Sequence, residues 1–501
     1  MIKLIYRIES DYMSKKRMLI VTSVTLSVVT ISLGIVKLYQ TYALSNYIGT
    51  VTDTGIDVYI NDDSYASIPA NGSSNVYYML TNTNPGTVKY GVAYQTTSGV
   101  TVKVYDTSED PATGTIEEND KKYIKLHLEN KNSTNKTIEL STVLGYENGG
   151  DLVVPSGVTL VTDTYTPPPT AAEYITKLYT TASKTTVTNN SITYNTAPSV
   201  SLMNDRLGGT TTDLDGGNIR YYGASPNNYI YFNCSDYSNQ TSSTCETWRI
   251  IGVFDGKLKL IRGSQIGTYS WDNKDTSTGA ESNFGKNDWT TARLMKLLNP
   301  RDYYKVDSND NNLGQSLYYN SASGKCYSGQ NNATVDCDFT STGIKNDETR
   351  NMIAETTYYL GGWNSYSVYP NEIYEYERGT TVYTGRPPTW PGKIALAYPS
   401  DYGYAADLNQ CKDKTLYDYN NSTCTSNNWM KAILGTSSHG WLLTPRSGGS
   451  YNAWNVYSGG YVGSTYLAYY AIGAVPVLSL SSKLGIESGD GSSSNPYKLS
   501  A

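Results

Sequence analysis

The sequence predicts an N-terminal transmembrane helix, then an all-β sandwich, then a larger C-terminal α+β domain. Three observations carry the prediction. Met18–Val36 is a run of 19 residues without a charge, the region after it alternates apolar and polar residues, and all 6 Cys and 8 Trp lie beyond residue 233.

The apolar run, MLIVTSVTLSVVTISLGIV, has about the length a helix needs to cross a bilayer core. Lys15, Lys16 and Arg17 precede it directly, with Lys3 and Arg7 further back, and basic residues so placed stay cytoplasmic. Residues 1–17 are therefore expected as a cytoplasmic tail, 18–38 as an uncleaved signal-anchor, and the bulk of the chain as extracellular. The run exceeds the roughly 7–15 apolar residues of a secretory signal, and Thr41-Tyr42-Ala43 is a poor cleavage site. A cleaved signal peptide is the competing reading, and it too leaves the rest of the chain outside.

Residues 45–162 read as a β-sandwich stalk. Val100, Val102 and Val104 alternate with Thr101, Lys103 and Tyr105, and Ile124, Leu126 and Leu128 with Lys125, His127 and Glu129. Ile138, Leu140 and Thr142 keep the same period. Period-two runs broken by Asn, Gly and Ser clusters mark strands with one buried face. The pattern places His127 on the polar face, as a solvated side chain. Residues 163–197 read as a linker. Thr166-Pro167-Pro168-Pro169-Thr170 is stiff because consecutive prolines hold the backbone extended, and Ile175, Leu178 and Tyr179 give Ala171–Ala182 helical spacing.

Residues 198–484 read as the α+β head, and 485–501 as a tail. Trp248–Phe254 and Lys257–Ile261 flank Asp255-Gly256, a turn pair that tolerates positive φ and signals a hairpin. Helices are expected over Asp288–Asn299, Asn346–Leu360 and Asn428–Leu434, each with a polar start and a Pro or Gly stop. Lys393–Tyr398, Trp441–Thr444 and Ala474–Leu480 read as buried strands. The cysteines fall into three short couples, Cys234/Cys245, Cys326/Cys337 and Cys411/Cys424, whose separation favours sequential disulfides. Zinc is the competing reading, but no couple has the ligand gap of roughly two to four residues.

Composition narrows the function. A net charge of −6, a pI near 5.2 and no long basic run argue against nucleic acid. With His127 and His439 the only histidines, His-based metal or acid–base chemistry is disfavoured, and no metal or cofactor is expected. Among the aromatics, 48 are Tyr against 8 Trp and 4 Phe. They concentrate in Ser447–Ile472, where 26 residues include 6 Tyr, 5 Gly, 4 Ser and 2 Asn and no charge. Tyr supplies large contact area at low rotamer entropy while Ser, Gly and Asn adapt their hydrogen bonds, the composition of antibody paratopes. The expected ligand-binding residues are Tyr451, Asn452, Asn455, Tyr457, Tyr461, Tyr466, Tyr469 and Tyr470. Trp454, between Ala453 and Val456, reads as core. The alternative is a twisted hairpin whose aromatics pack only on each other.

Other constellations are weaker. Asp307-Ser308-Asn309-Asp310-Asn311-Asn312 spaces oxygen donors as a Ca²⁺ loop does, but Asn312 stands where Gly is required and Tyr318 where Glu is, so a polar turn is the plainer reading. Glu372, Glu375 and Glu377 lie in a Tyr-rich loop, NEIYEYERG, and paired carboxylates cleave glycosides. His439 has no nucleophile-elbow partner for a serine triad.

Several strings between about 220 and 484 carry a resemblance: TWRIIGVFDGKLKLIRG at 247–263, CDFTSTGIKNDETRNMIAETTYYLGGW at 337–363, YPSDYGYAADLNQC at 398–411, and NNWMKAILGTSSHGWLLTPRSGG at 427–449 followed by Ala453-Trp454-Asn455-Val456. In order and spacing they resemble a family of uncharacterised extracellular domains from gut Bacillota and Mycoplasmatota. The C-terminal pattern also resembles the C-type-lectin-like fold of sulfatase-modifying enzymes and of retroelement-diversified receptors. The closing Gly473-Ala474-Val475-Pro476-Val477-Leu478 has Val475 where that pattern usually has Arg, so a buried Arg–carboxylate pair would be missing there. Gly489–Ala501 is similar to the family's closing segment. The resemblance implies fold and location but no ligand.

The expectation is a membrane-anchored bacterial surface protein, not an enzyme. A C-type-lectin-like head would bind an extracellular glycan or protein through Ser447–Ile472, without nucleic acid, and a retroelement-diversified receptor is the sharper form of that expectation. The alternatives are a structural envelope or pilus-like component, and a carbohydrate-active enzyme.

Overall fold

The computed structural model describes residues 44–52, 55–57, 65–82, 86–145, 152, 154–205, 217–273, 283–306, 314–330 and 333–500. The signal-anchor expected at 18–38 and the Asp307–Asn312 loop lie outside the described residues. Among the described residues no helix is long and apolar enough to cross a membrane. They form mostly β-sheet with a few short helices, in two compact units that divide between Pro167 and Pro168.

In the first unit, the alternating segments become strands. One six-stranded sheet runs in the order Thr164–Tyr165, Val100–Tyr105, Lys121–Asn130, Gly72–Asn82, Leu44–Thr52, Gly55–Asp57. A second contains Val158–Leu160, Val88–Gln95, Lys136–Gly145 and Tyr65–Ile68, with Thr113–Ile116 on the edge of Val88–Gln95. Alternate residues of both sheets, among them Val102, Ile124, Leu126, Val92, Ile138 and Leu140, meet in one buried apolar cluster. Each buried Val, Leu or Ile contributes about 1.5–3 kcal/mol, so this cluster holds the sandwich together.

One assignment in this unit is corrected. His127 does sit on the outer face, yet it is only 5% exposed. Tyr165, delivered by the short strand Thr164–Tyr165 beside Val100–Tyr105, lies over its ring with centroids 3.6 Å apart and 7° between planes. Asn75 meets Nδ1 at 2.7 Å and Glu129 meets Nε2 at 3.4 Å. Period two tells which face a residue occupies, but not what later covers that face.

The second unit begins directly after the boundary, so most of the segment expected as a linker belongs to it. The helix Ala171–Thr181 is closed at its start by a capping box between Thr170 and Glu173, and it buries Ala171, Ala172, Ile175 and Tyr179. Thr185–Asn189 and Ile192–Ala197 then open a nine-stranded sheet that continues through Leu202–Asn204, Ile219–Tyr221, Glu246–Phe254, Lys257–Arg262, Val477–Ser479 and Ile394–Ala395, with Tyr229–Phe232 as the ninth strand paired to Glu246–Phe254. The Asp255-Gly256 hairpin is present, with φ of 48° and 69° at its two turn residues. The expected tail is likewise part of the fold: Gly485–Ser488 pairs with Lys498–Ser500, and Tyr497 and Leu499 are 3% and 1% exposed.

Four helical assignments change. The helix expected over Asp288–Asn299 is broken at Ala292 into a 3-10 turn, Trp289–Thr291, and a helix, Arg293–Leu298, and the one expected over Asn428–Leu434 is helical only over Lys431–Leu434. The helix expected over Asn346–Leu360 stops at Met352, after Asn346 caps Thr349 N–H at 2.9 Å. The chain then forms the strand Thr356–Tyr359 against Thr389–Gly392, because Thr and Tyr suit a strand and Tyr358 there stacks on Trp390 at 5.6 Å. Conversely, the loop expected at Glu372–Glu377 is the helix Pro370–Arg378. The cysteines form Cys234–Cys245, Cys326–Cys337 and Cys411–Cys424, which accounts for all six.

Candidate functional site

The Tyr-rich stretch folds as part of a five-stranded sheet ordered Thr268–Ser270, Ala471–Gly473, Gly440–Pro445, Asn452–Val456, Val462–Leu467. Between the last two strands, Tyr457 N–H donates to Tyr461 O at 2.9 Å and Gly460 N–H to Tyr457 O at 2.8 Å. Gly460 takes φ of 94°, which a side chain rarely adopts. The turn sets Tyr457 and Tyr461 opposite each other with rings stacked at 4.2 Å.

From this pair a continuous series of ring contacts extends both ways. On one side Tyr461 meets Tyr417 at 5.5 Å, and Tyr417 meets Tyr366 at 4.6 Å. On the other, Tyr457 meets Tyr466 edge-on at 5.2 Å, Tyr466 meets Tyr470 at 5.3 Å, and Tyr470 meets Tyr469 at 4.7 Å. Tyr469 reaches Phe284 at 6.4 Å, and Phe284 reaches Tyr451 at 5.1 Å. Four of these rings are open to solvent: Tyr417 45%, Phe284 43%, Tyr470 38% and Tyr366 36% exposed. Edge-on and offset pairs are the favoured arrangements of aromatic quadrupoles, so the stripe supports itself while leaving ring faces free.

The stripe carries no acid. His439 lies beside Tyr457 and Tyr466 at 5.0 and 5.4 Å, and its Nδ1 accepts the Ser458 N–H at 2.7 Å. Burial holds its pKa below the usual histidine value, so the ring is neutral at pH 7. Burial likewise raises the phenols of Tyr457, Tyr461, Tyr466 and Tyr470. Such a surface suits stacking and hydrogen bonding.

Six of the eight expected binding residues therefore share this stripe, and two do not. Asn452 is 7% exposed, with Nδ2 donating to Thr465 O at 2.9 Å, and Asn455 is fully buried. Both sit in the strand interior beside Trp454, which is fully buried as its flanks indicated. Tyr366, Tyr417, Phe284 and His439 were not legible as members, since they come from separate segments that only the fold brings together.

The three glutamates do not converge. Glu372 caps its own helix by accepting Tyr369 N–H at 2.9 Å, and Glu375 is exposed. Glu377 is fully buried and accepts Ser400 N–H at 2.9 Å, and burial raises its carboxyl to about 7 despite Arg378 and Ser400. Nearby lies a buried ion network without a sequence signature. Arg220 bridges Asp205 and Asp401, and Lys259 also donates to Asp401. Burial pushes the Asp401 carboxyl up, but Lys259 and Arg220 outweigh it and hold the group below its ordinary value. Val475 is fully buried in an apolar cluster.

The chain matches no protein-family model, and no curated protein matches it significantly.

Proposed function

We propose that this chain is a membrane-anchored bacterial cell-surface protein whose second unit binds an extracellular ligand, a glycan or a protein, through the aromatic stripe. The observation that carries this reading is the unbroken series of ring contacts from Tyr366 to Tyr451, with four large rings left exposed. Rings that served packing alone would be covered, whereas a wet, uncharged aromatic surface matches the anchors of recognition sites. The six Cys closed as disulfides suit an oxidising exterior. On this reading the fold is C-type-lectin-like, the Gly440–Pro445 strand and the hairpin beyond it forming the binding end. Diversification would fall at Tyr451, Asn452, Asn455, Tyr457 and Tyr461, and since the two asparagines are buried the three tyrosines are the ones left to it.

Cells displaying the full chain, screened against glycan arrays and extracellular host proteins, test the proposal. Saturable binding that is lost in Tyr457→Ala/Tyr461→Ala supports it. No binding to either set, or binding indifferent to both substitutions, overturns it.

A further inference from the structure

Arg249 holds a buried positive charge that no acid neutralises among the described residues. Its side chain is 7% exposed. Nε donates to Asn228 Oδ1 and Nη2 to Pro226 O, both neutral acceptors. Nη1 is not among the polar atoms sealed from solvent, and the Tyr229 side chain adds a further contact that is again neutral. The guanidinium lies over the ring of Tyr229 at 3.7 Å and over that of Trp429 at 4.8 Å. Three other cations of this unit are paired: Arg220 has Asp205 and Asp401, Lys259 has Asp401, and the partly buried Arg262 has Glu246. A buried charge without a counterion is costly, so its retention calls for a reason.

The surroundings supply one. Arg249 lines an open cleft of about 480 Å³, within the range of roughly 300–1,000 Å³ usual for small-ligand sites. Glu246 lines the same cleft but is already taken, with Oε1 and Oε2 held by Arg262 at 2.9 and 3.0 Å and Oε2 also by Trp248 Nε1 at 3.0 Å. Thr247 and Ser264 add hydroxyls to the wall, and Ser264 Oγ accepts from Arg262, which leaves its proton to donate. Burial lowers the Arg249 pKa to about 10, with only Tyr229 opposing, so the group stays charged at neutral pH.

We propose that this cleft is a second binding site, distinct from the aromatic stripe, that takes an oxyanion group of a ligand, a carboxylate or a sulfate ester, through Arg249. The guanidinium offers a planar set of donors suited to either oxyanion, and the two rings hold it in place before the ligand arrives. Gln265, next to Ser264 in the chain, donates to Thr436 Oγ1 and to His439 O at 2.8 Å each, which ties the Ser264 segment to the one that carries His439. The anion site does not depend on the stripe binding anything.

The test uses the purified full chain, titrated calorimetrically with sodium sulfate and with sodium glucuronate at ionic strength matched by sodium chloride. Saturable binding of at least one anion is expected, and the two arms separate a sulfate site from a carboxylate site. Arg249→Gln should weaken it about tenfold or more, since a hydrogen bond to a charged group is lost. If that variant does not fold, Ala432→Asp places a carboxylate in the same cleft, and it should raise the melting temperature while abolishing anion binding. Tyr457→Ala/Tyr461→Ala should leave anion binding unchanged, which separates this site from the stripe. No saturable binding of either anion, or binding undiminished in folded Arg249→Gln or in Ala432→Asp, overturns the proposal.

Discussion

The rings of Tyr457 and Tyr461 lie face to face, 4.2 Å apart and 11° from parallel, across a turn whose closing residue is Gly460. The stack exists because the backbone there enters a region open mainly to glycine. It is the junction from which the exposed stripe extends in both directions.

Gly460→Ala should therefore disturb the stripe without touching a ring. An added Cβ would lie 2.6 Å from Thr425 Cγ2, at φ of 94°. A loss of about 1–3 kcal/mol in unfolding free energy is expected, with a reduced near-ultraviolet tyrosine signal. Unchanged denaturation and an unchanged spectrum would show that the turn does not organise the stack.

Asp401 receives both Arg220 and Lys259, and it also accepts the Tyr398 N–H at 3.0 Å at the start of the helix Pro399–Tyr404. Asp401→Asn leaves two buried cations short of a counterion. Removing one partner of a buried pair typically costs about 3–5 kcal/mol, so chemical denaturation should show a loss of that order. A loss under about 1 kcal/mol would mean the network is hydrated in solution.

Glu377 predicts a pH dependence. Its folded pKa is raised to about 7 from an ordinary 4.5, so between those values the folded state keeps a proton that the unfolded state has released. Stability from this group is full below pH 4.5 and falls as pH rises through 7, by up to roughly 3 kcal/mol. Glu377→Gln should remove that fall. Melting curves of both proteins from pH 5 to 8 check it, and parallel profiles would contradict the assignment.

The three disulfides close loops with sequence separations of 11, 11 and 13. Alkylation before reduction should label no cysteine, and alkylation after denaturing reduction should label all six. Reduction should lower the stability of the second unit by about 2–4 kcal/mol for each bridge. Any labelling before reduction would contradict the pairing.

Legibility differed between the units for a physical reason. In the first, Val100–Tyr105 and Lys121–Asn130 each bury one face, so period two marks the sandwich strands directly. In the second, Gly440–Pro445 and Asn452–Val456 are buried throughout, so no alternation marks which side chain faces out. That is why Asn452 and Asn455 read like Tyr457 in the sequence and differ from it in the fold. The helix expected over Asn346–Leu360 failed for a related reason: Tyr358 is held as strand by Trp390, from a segment 32 residues on.

Taken alone, the sequence determined what local spacing can encode. That covers the alternating strands of the first unit, the Asp255-Gly256 hairpin, the sequential cysteine couples and the stretch where uncharged Tyr accumulates. Each depends on residues near one another in the chain. The tertiary structure alone decided that Phe284, Tyr366 and Tyr417 join that stretch in one stripe, that Tyr165 covers His127, and that among the described residues no acid pairs with Arg249 while Arg220, Lys259 and Arg262 each have one. Those relationships depend on how distant segments pack, and burial, which sets the worth of a charge or a ring, exists only once they have.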